Sequence, residues 1–436
     1  MFDEPHTLGE ASEPVLPTYN CSQNVTCCTA ILEAYVKNLL SIVVCLCSFA
    51  AQVLAQAPQH PAGEAQRQAA LSLEQQGRVS EAETAWRAYS KTHPAAAEPY
   101  GHLGLLEAKQ EHYPEAVTLY REALRLNPSV PGLRFDLALA LFKGGKLNDA
   151  AAEFNSLLGT APPGSAEAQK LNILLGMCHY GQGQYAKAVP YLKAAAAGDP
   201  QNLPLRLTLA HSCLWSHQTR CVLDVYHEIL MLNADSAEAD MLAGEALDEM
   251  RDRDGATKMF QAAVRANPKE PNVHYELGYL LWAEKRYSDA LPQFQAELEN
   301  DPNHAKSLVY LGDCYLQLNN PTDARAPLQR ALALDPSLWI ADLDLGIIDS
   351  DAGRNDDALR ELKKALALKP DEVNAHWRVA KLLRAMGRTE EAKAEFETAK
   401  RLNKKAADDL HKQIVNGNQP NHDDTQAPPA ETAPTH

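Results

Sequence analysis

The sequence predicts an all-α fold, a solenoid of about ten tandem helix-turn-helix repeats of 34 residues each. Three observations predict it. First, helix-stopping prolines or their stand-ins fall at Pro94, Pro128, Pro162, Pro200, Ala234, Pro268, Pro302, Pro336, Pro370 and Lys404. The step is 34 everywhere except from Pro162 to Pro200, where it is 38. Proline has no N–H to donate inside a helix, so it closes one unit and opens the next. Second, a small residue recurs in the first helices, at Gly104, Ala138, Gly176, Ala210, Gly244, Gly278, Gly312, Gly346 and Ala380. Third, the second helices pair a small residue with a large one about a turn later, as in Ala116 and Tyr120, Ala150 and Phe154, or Ala290 and Phe294. Small residues let two antiparallel helices approach closely, and the large side chain fills the space beside the crossing. One such hairpin cannot bury its apolar face alone, so each implies neighbours.

Residues 1–35 do not fit the repeat pattern. They are rich in proline and acidic residues, hold Cys21, Cys27 and Cys28, and carry two sequons at Asn20 and Asn24. They read as a disordered extension or as sequence ahead of the true start, which is expected at Val36. Residues 36–57 follow the order of a secretory signal peptide: Lys37, an apolar run from Leu39 to Ala51, then small residues with cleavage expected after Ala55 or Ala57. The alternative is a membrane anchor using the same run, which is shorter than the roughly 20 apolar residues a span needs. No segment after residue 60 is expected to cross a membrane. The chain is therefore expected to be exported, periplasmic or secreted, with an N-terminally anchored protein facing the envelope as the alternative. N-terminal sequencing of the native protein checks the start, and a mature terminus upstream of Val36 would contradict it.

The first repeat, from Gly63, has a polar first helix (Glu64, Gln66, Arg67, Gln68, Glu74, Gln75), as suits a terminal cap with one face in water. The step of 38 places four extra residues near Ser165-Ala166-Glu167-Ala168. Ser165, after Pro162-Pro163-Gly164, is suited to cap an earlier helix start and add one turn. Repeat five, Leu203 to Ser236, departs most, with Val222 in place of the small residue. It also holds His211, Cys213, His217 and Cys221, which are zinc-ligand types. His211 and Cys213 stand two apart on a helix and point to different faces. A degenerate structural repeat is the primary reading and a metal site the alternative. Cys213 and Cys221 lie on opposite helices of this repeat and are close enough in sequence to be bridged. Each also occupies a place where a small apolar residue packs, and two packed thiols is the reading preferred. After Lys404, the residues Ala406, Ala407, Leu410 and Ile414 mark a capping helix over 405–415, and 416–436 has the composition of a disordered tail.

The formal charge of −16 disfavours non-specific nucleic-acid binding, which needs a basic surface. Catalytic motifs fail on inspection. His227-Glu228 begins the zinc-protease helix motif but lacks its second histidine. The glycine pair Gly181 and Gly183 falls in the turn of a helical hairpin, not after a strand. Asp252-Arg253-Asp254-Gly255 lacks the later glutamate of a calcium loop. No enzyme activity, catalytic residue, metal or cofactor is expected.

Residues 63–404 resemble the tetratricopeptide repeat family through the period and the small and large positions quoted above. The resemblance implies a right-handed α-solenoid whose first helices line a concave groove and hold a protein or peptide segment. In that family the second, fifth, ninth, twelfth and thirteenth positions of each unit face the groove. Carried over, they give Phe135, Phe142, Ile173, Met177, Tyr180, Tyr275, Tyr279, Trp282 and Lys306 as groove residues. Glu238, Glu245, Asp248 and Glu249 form an acidic groove patch. The Lys/Asn/Arg carboxylate clamp of chaperone-binding members is not found in consecutive units. The function expected is an exported scaffold or adaptor in envelope complex assembly. The alternatives are a self-associating structural oligomer, a non-catalytic accessory subunit of an envelope enzyme, and a metal-binding protein through repeat five.

Overall fold

The computed structural model describes residues 61–416, with side chains described over 63–408. The expected extension and leader, and the tail beyond 416, lie outside the described residues. Every regular element among those residues is an α-helix, and the twenty helices pair into ten antiparallel hairpins. Packing divides the chain after Asn267 into two units.

The N-terminal unit holds six hairpins. Its helices are α1 (Pro61–Gln75) and α2 (Val79–Thr92), α3 (Glu98–Lys109) and α4 (Tyr113–Leu126), and α5 (Leu133–Lys143) and α6 (Leu147–Leu158). They continue with α7 (Ala166–Gly181) and α8 (Tyr185–Gly198), α9 (Leu203–Trp215) and α10 (Thr219–Leu232), and α11 (Ala237–Glu249) and α12 (Arg253–Ala266). The C-terminal unit holds four hairpins. These are α13 (Val273–Ala283) and α14 (Tyr287–Asn300), α15 (Ala305–Gln317) and α16 (Pro321–Leu334), α17 (Trp339–Asp351) and α18 (Asn355–Leu368), and α19 (Val373–Ala385) and α20 (Thr389–Asn416).

The predicted small-to-large pairing closes each hairpin. A Cβ on Gly278 would lie 2.9 Å from the Phe294 ring, and one on Gly104 would lie 2.7 Å from the Tyr120 ring, so these first helices have no room for a side chain at the crossing. Trp86, Tyr120, Phe154, Leu192, Phe294, Leu328 and Leu362 are fully buried at the equivalent place. The turn inside each hairpin uses one left-handed residue, spaced by 34 residues except for a step of 38 between the third and fourth: Gly77, Glu111, Gly145, Gly183, His217, Arg251, Lys285, Asn319, Gly353 and Gly387. Such a residue lets the next N–H groups fold back onto the last helical carbonyls. Gly183 thus sits in a hairpin turn, as its spacing predicts.

The extra turn at the start of repeat four is present. Helix α7 has 16 residues, and the Ser165 side chain accepts from the Ala168 N–H at 3.1 Å. The separate capping helix expected over 405–415 is not formed as such. Helix α20 runs unbroken through 28 residues; Asn403-Lys404-Lys405 lacks the proline found after most earlier second helices. Within each unit the first helices of successive repeats come close to one another, α9 to α11 and α15 to α17 among them, so they build one continuous face.

Candidate functional site

In the N-terminal unit that face carries the aromatic side chains that remain accessible. Phe135 on α5 is half-buried and tilts against Phe154, with ring centroids 5.8 Å apart. The Lys170 ammonium of α7 stands 4.2 Å from the Phe135 centroid. Burial pushes the Asp136 carboxyl up to about 6, with Lys170 pulling the other way. The same burial lowers the Lys170 pKa. Ile173, Met177 and Tyr180 follow along α7, each half-buried. Tyr180 leads into a cluster of four rings. Its centroid lies 5.6 Å from Tyr185 and 5.8 Å from Trp215, and Trp215 lies 4.8 Å from Tyr185 and 5.0 Å from His211.

Beyond the cluster, α11 presents the acidic residues. Glu238, Glu245, Asp248 and Glu249 are all half-buried. They are not an open field of negative charge. Glu238 Oε1 lies 2.8 Å from His211 Nε2, Glu249 pairs with His217 Nδ1, and Asp248 Oδ1 lies 3.7 Å from Arg253 Nε. The face therefore runs from a lysine held over a phenylalanine, through a patch of four rings, to carboxylates tied to histidines and an arginine.

Repeat five supplies the centre of this arrangement, and the structure changes how it is read. Cys213 and Cys221 are joined in a disulfide with Cα atoms 5.8 Å apart, which corrects the expectation of two packed thiols. The two residues bracket the hairpin turn, so α9 and α10 bring them together at a separation suited to bridging. Both sulfurs are then unavailable as thiolates, and His211 and His217 turn to carboxylates of α11. The four residues do not assemble the metal-ligand set that was the alternative reading. His211 and Trp215 occupy the ninth and thirteenth positions of repeat five. The rule that picked groove residues elsewhere would have found them had repeat five not been set aside as degenerate.

Three of the sequence-chosen groove residues are corrected by burial. Phe142 is 6% exposed and belongs to the core between repeats three and four. Tyr275 and Tyr279 in the C-terminal unit are 3% and 8% exposed. The reason is Tyr310 on α15, whose ring lies 6.1 Å from Tyr275, 5.3 Å from Tyr279 and 4.7 Å from Trp282. Trp282 is half-buried and donates its indole N–H to Asp313. Lys306 is half-buried, its ammonium 6.0 Å from the Tyr275 centroid. These residues pack one repeat onto the next. Among them Glu297 of α14, 2% exposed, accepts from the N–H groups of Asn272, His274 and Tyr275 at 3.1–3.2 Å and so caps the start of α13.

A family model described as "Tetratricopeptide repeat" matches residues 67–131, 102–166, 135–202, 241–305 and 285–338, and a second with the same description matches 350–414. The first alone covers more than half of the sequence, and the chain belongs to the tetratricopeptide repeat family. Protein bimA of Emericella nidulans is 27% identical over 177 residues, 39% of this chain and 21% of that protein. The peroxisomal targeting signal receptor of Pichia angusta is 26% identical over 203 residues, 44% of this chain and 34% of the receptor. The chain thus spans only 21% and 34% of the length of these curated relatives. A solved tetratricopeptide repeat protein from Parabacteroides merdae is 17% identical, with a TM-score of 0.43, covering 57% of this chain and 96% of its own. No helix among the described residues is long and apolar enough to cross a membrane.

Proposed function

We propose that this chain is an exported scaffold or adaptor that holds a segment of a partner protein on the first-helix face of its N-terminal unit, in the assembly of an envelope complex. It performs no chemistry of its own. The observation that carries this reading is the cluster of Tyr180, Tyr185, Trp215 and His211, which is accessible in part and backed by rigid helices. Large aromatic side chains on a preformed surface supply most of the binding energy of protein contacts, roughly 2 kcal/mol or more each when central. The partner segment would place an apolar residue on the rings. A relative whose name describes a receptor for a targeting signal supports a segment-binding role.

Two observations support export. Residues 36–57 have the order of a leader, and the chain carries a disulfide, which persists mainly in oxidising compartments. The direct test is a photo-crosslinking amino acid placed at position 215 in the native cells, with position 231 on α10 as the comparison. A partner captured from 215 and absent from 231 is the expected result. Capture from neither position, or equal capture from both, would contradict the assignment of the face.

A further inference from the structure

We propose that the Cys213–Cys221 bridge is a redox clasp: a dithiol reductant exchanges with it at Cys221, and the reduced repeat five opens locally while its neighbours stay folded. The inference goes beyond the partner-binding reading and does not depend on it.

The repeat register shows that the bridge is an addition to the repeat. The place of Cys221, in the first turn of the second helix, belongs elsewhere to Glu115, Asp149, Lys187, Asp289, Asp323 and Glu391, all of them exposed. Cys213, in the last turn of α9, is fully buried, and Cys221 is half-buried. The hairpin they join lacks what closes the others. Val222 stands where every other repeat has alanine. Tyr226 is half-buried where Phe154, Leu192, Phe294 and Leu328 are fully buried. Its hydroxyl donates to Asp240 of α11 at 2.8 Å, so it reaches to the next repeat. Asn233-Ala234 replaces the closing Asn-Pro. The covalent link between α9 and α10 stands in for that weaker packing.

The exchange is a two-electron step. A thiolate of the dithiol attacks the Cys221 sulfur, and the Cys213–Cys221 bond breaks as the mixed disulfide forms. Cys213 leaves as a thiolate and takes up a proton. The second thiolate of the dithiol then attacks the dithiol's own sulfur in the mixed disulfide, frees Cys221 and leaves the dithiol as a disulfide. Burial shields Cys213 from direct attack. The other described thiols do not compete: burial pushes Cys178 and Cys314 up to about 12 and keeps both protonated.

The opening stays local for two reasons. The bridged residues are only 8 apart, so the link constrains the unfolded chain less than a long-range bridge would. Repeats of a solenoid touch only their neighbours, so one can open without the rest. In an oxidising compartment the clasp stays shut until a dithiol reaches it. Helix α9 carries His211 and Trp215, so opening would scatter the ring cluster and release a partner held there. That last consequence rests on the face proposed above.

The test is hydrogen exchange of the full chain, read by mass spectrometry before and after dithiothreitol without denaturant, with maleimide labelling to locate free thiols. Labelling should appear at Cys213 and Cys221 and not at Cys178 or Cys314. Amide exchange in α9 and α10 should speed up about tenfold or more, while α3 to α6 and α13 to α19 keep their rates. Oxidised glutathione, added once the dithiol is removed, should restore the slow exchange. Cys213→Ser/Cys221→Ser should exchange like the reduced parent with or without dithiothreitol. The parent supplies its own comparison, so a variant that fails to fold leaves the test intact. The proposal is overturned if the bridge resists dithiothreitol until the chain unfolds, if the reduced chain exchanges as the oxidised one does, or if exchange speeds up along the whole chain. Exchange needs no partner, so it can fail while capture from position 215 stands, and the reverse.

Discussion

In the N-terminal unit Phe135, Tyr180 and Trp215 of the first helices reach solvent, and in the C-terminal unit Tyr275 and Tyr279 are packed away, although both are built from one repeat. The difference lies in the sixth position of the following repeat. Tyr310 holds that position over Tyr275 and Tyr279. At the equivalent positions the N-terminal unit has His102, Asp136, Leu174, Thr208 and Leu242, of which His102 alone is aromatic, stacked on Trp86. A first-helix aromatic is therefore accessible or buried according to what its neighbour brings across the face. The same holds at the last repeat, where no further first helix follows α19 among the described residues and Trp377 stays open.

The sharpest way to break the contrast is to remove the cover. Tyr310→Ala should cost about 3–5 kcal/mol, as for other large aromatic deletions at packed sites, and should expose Tyr275 and Tyr279. Denaturant unfolding gives the first quantity and tyrosine nitration, read by mass spectrometry, the second. Next in size is Glu297→Ala, which leaves three N–H groups at the start of α13 without their acceptor. A loss of roughly 2–3 kcal/mol in the same unfolding experiment is expected, since the stranded donors are buried.

The fold was legible because its rules are local. Gly278 and Phe294 stand 16 residues apart within one hairpin, so period, spacing and side-chain size are enough to pair them. Ser165 was legible for the same reason, a cap read within a few residues of its helix. What failed was set between repeats or by a missing signal. Tyr275 and Tyr279 needed Tyr310 from the next repeat, Glu297 acts on a helix start that no capping motif marks, and α20 continues where most earlier second helices meet a proline. Cys213 and Cys221 were seen as a candidate pair, but spacing alone did not decide between packing and bonding.

A smaller contrast can be drawn by pH. Between the ordinary carboxylate value of 3.8 and about 6, the folded chain holds the Asp136 proton while the unfolded chain has released it. Stability from this group therefore falls as pH rises through that window and stays lower above it. Asp136→Asn should flatten that part of the pH profile, measured by thermal unfolding. The smallest effect is a control shared by both units. Glu111→Gly and Lys285→Gly each relieve a left-handed turn residue and should each gain up to about 1 kcal/mol. Equal gains are expected, because the turn is common to every repeat while the face is not.

The most direct measurement sets Trp215→Ala beside Tyr275→Ala and records thermal unfolding and partner capture from native cells for both. Trp215→Ala should unfold within a few degrees of the parent and lose the captured partner, while Tyr275→Ala should unfold much earlier, by an amount matching about 3–5 kcal/mol. A stable Tyr275→Ala that loses the partner, beside a Trp215→Ala that keeps it, would place the binding face in the wrong unit.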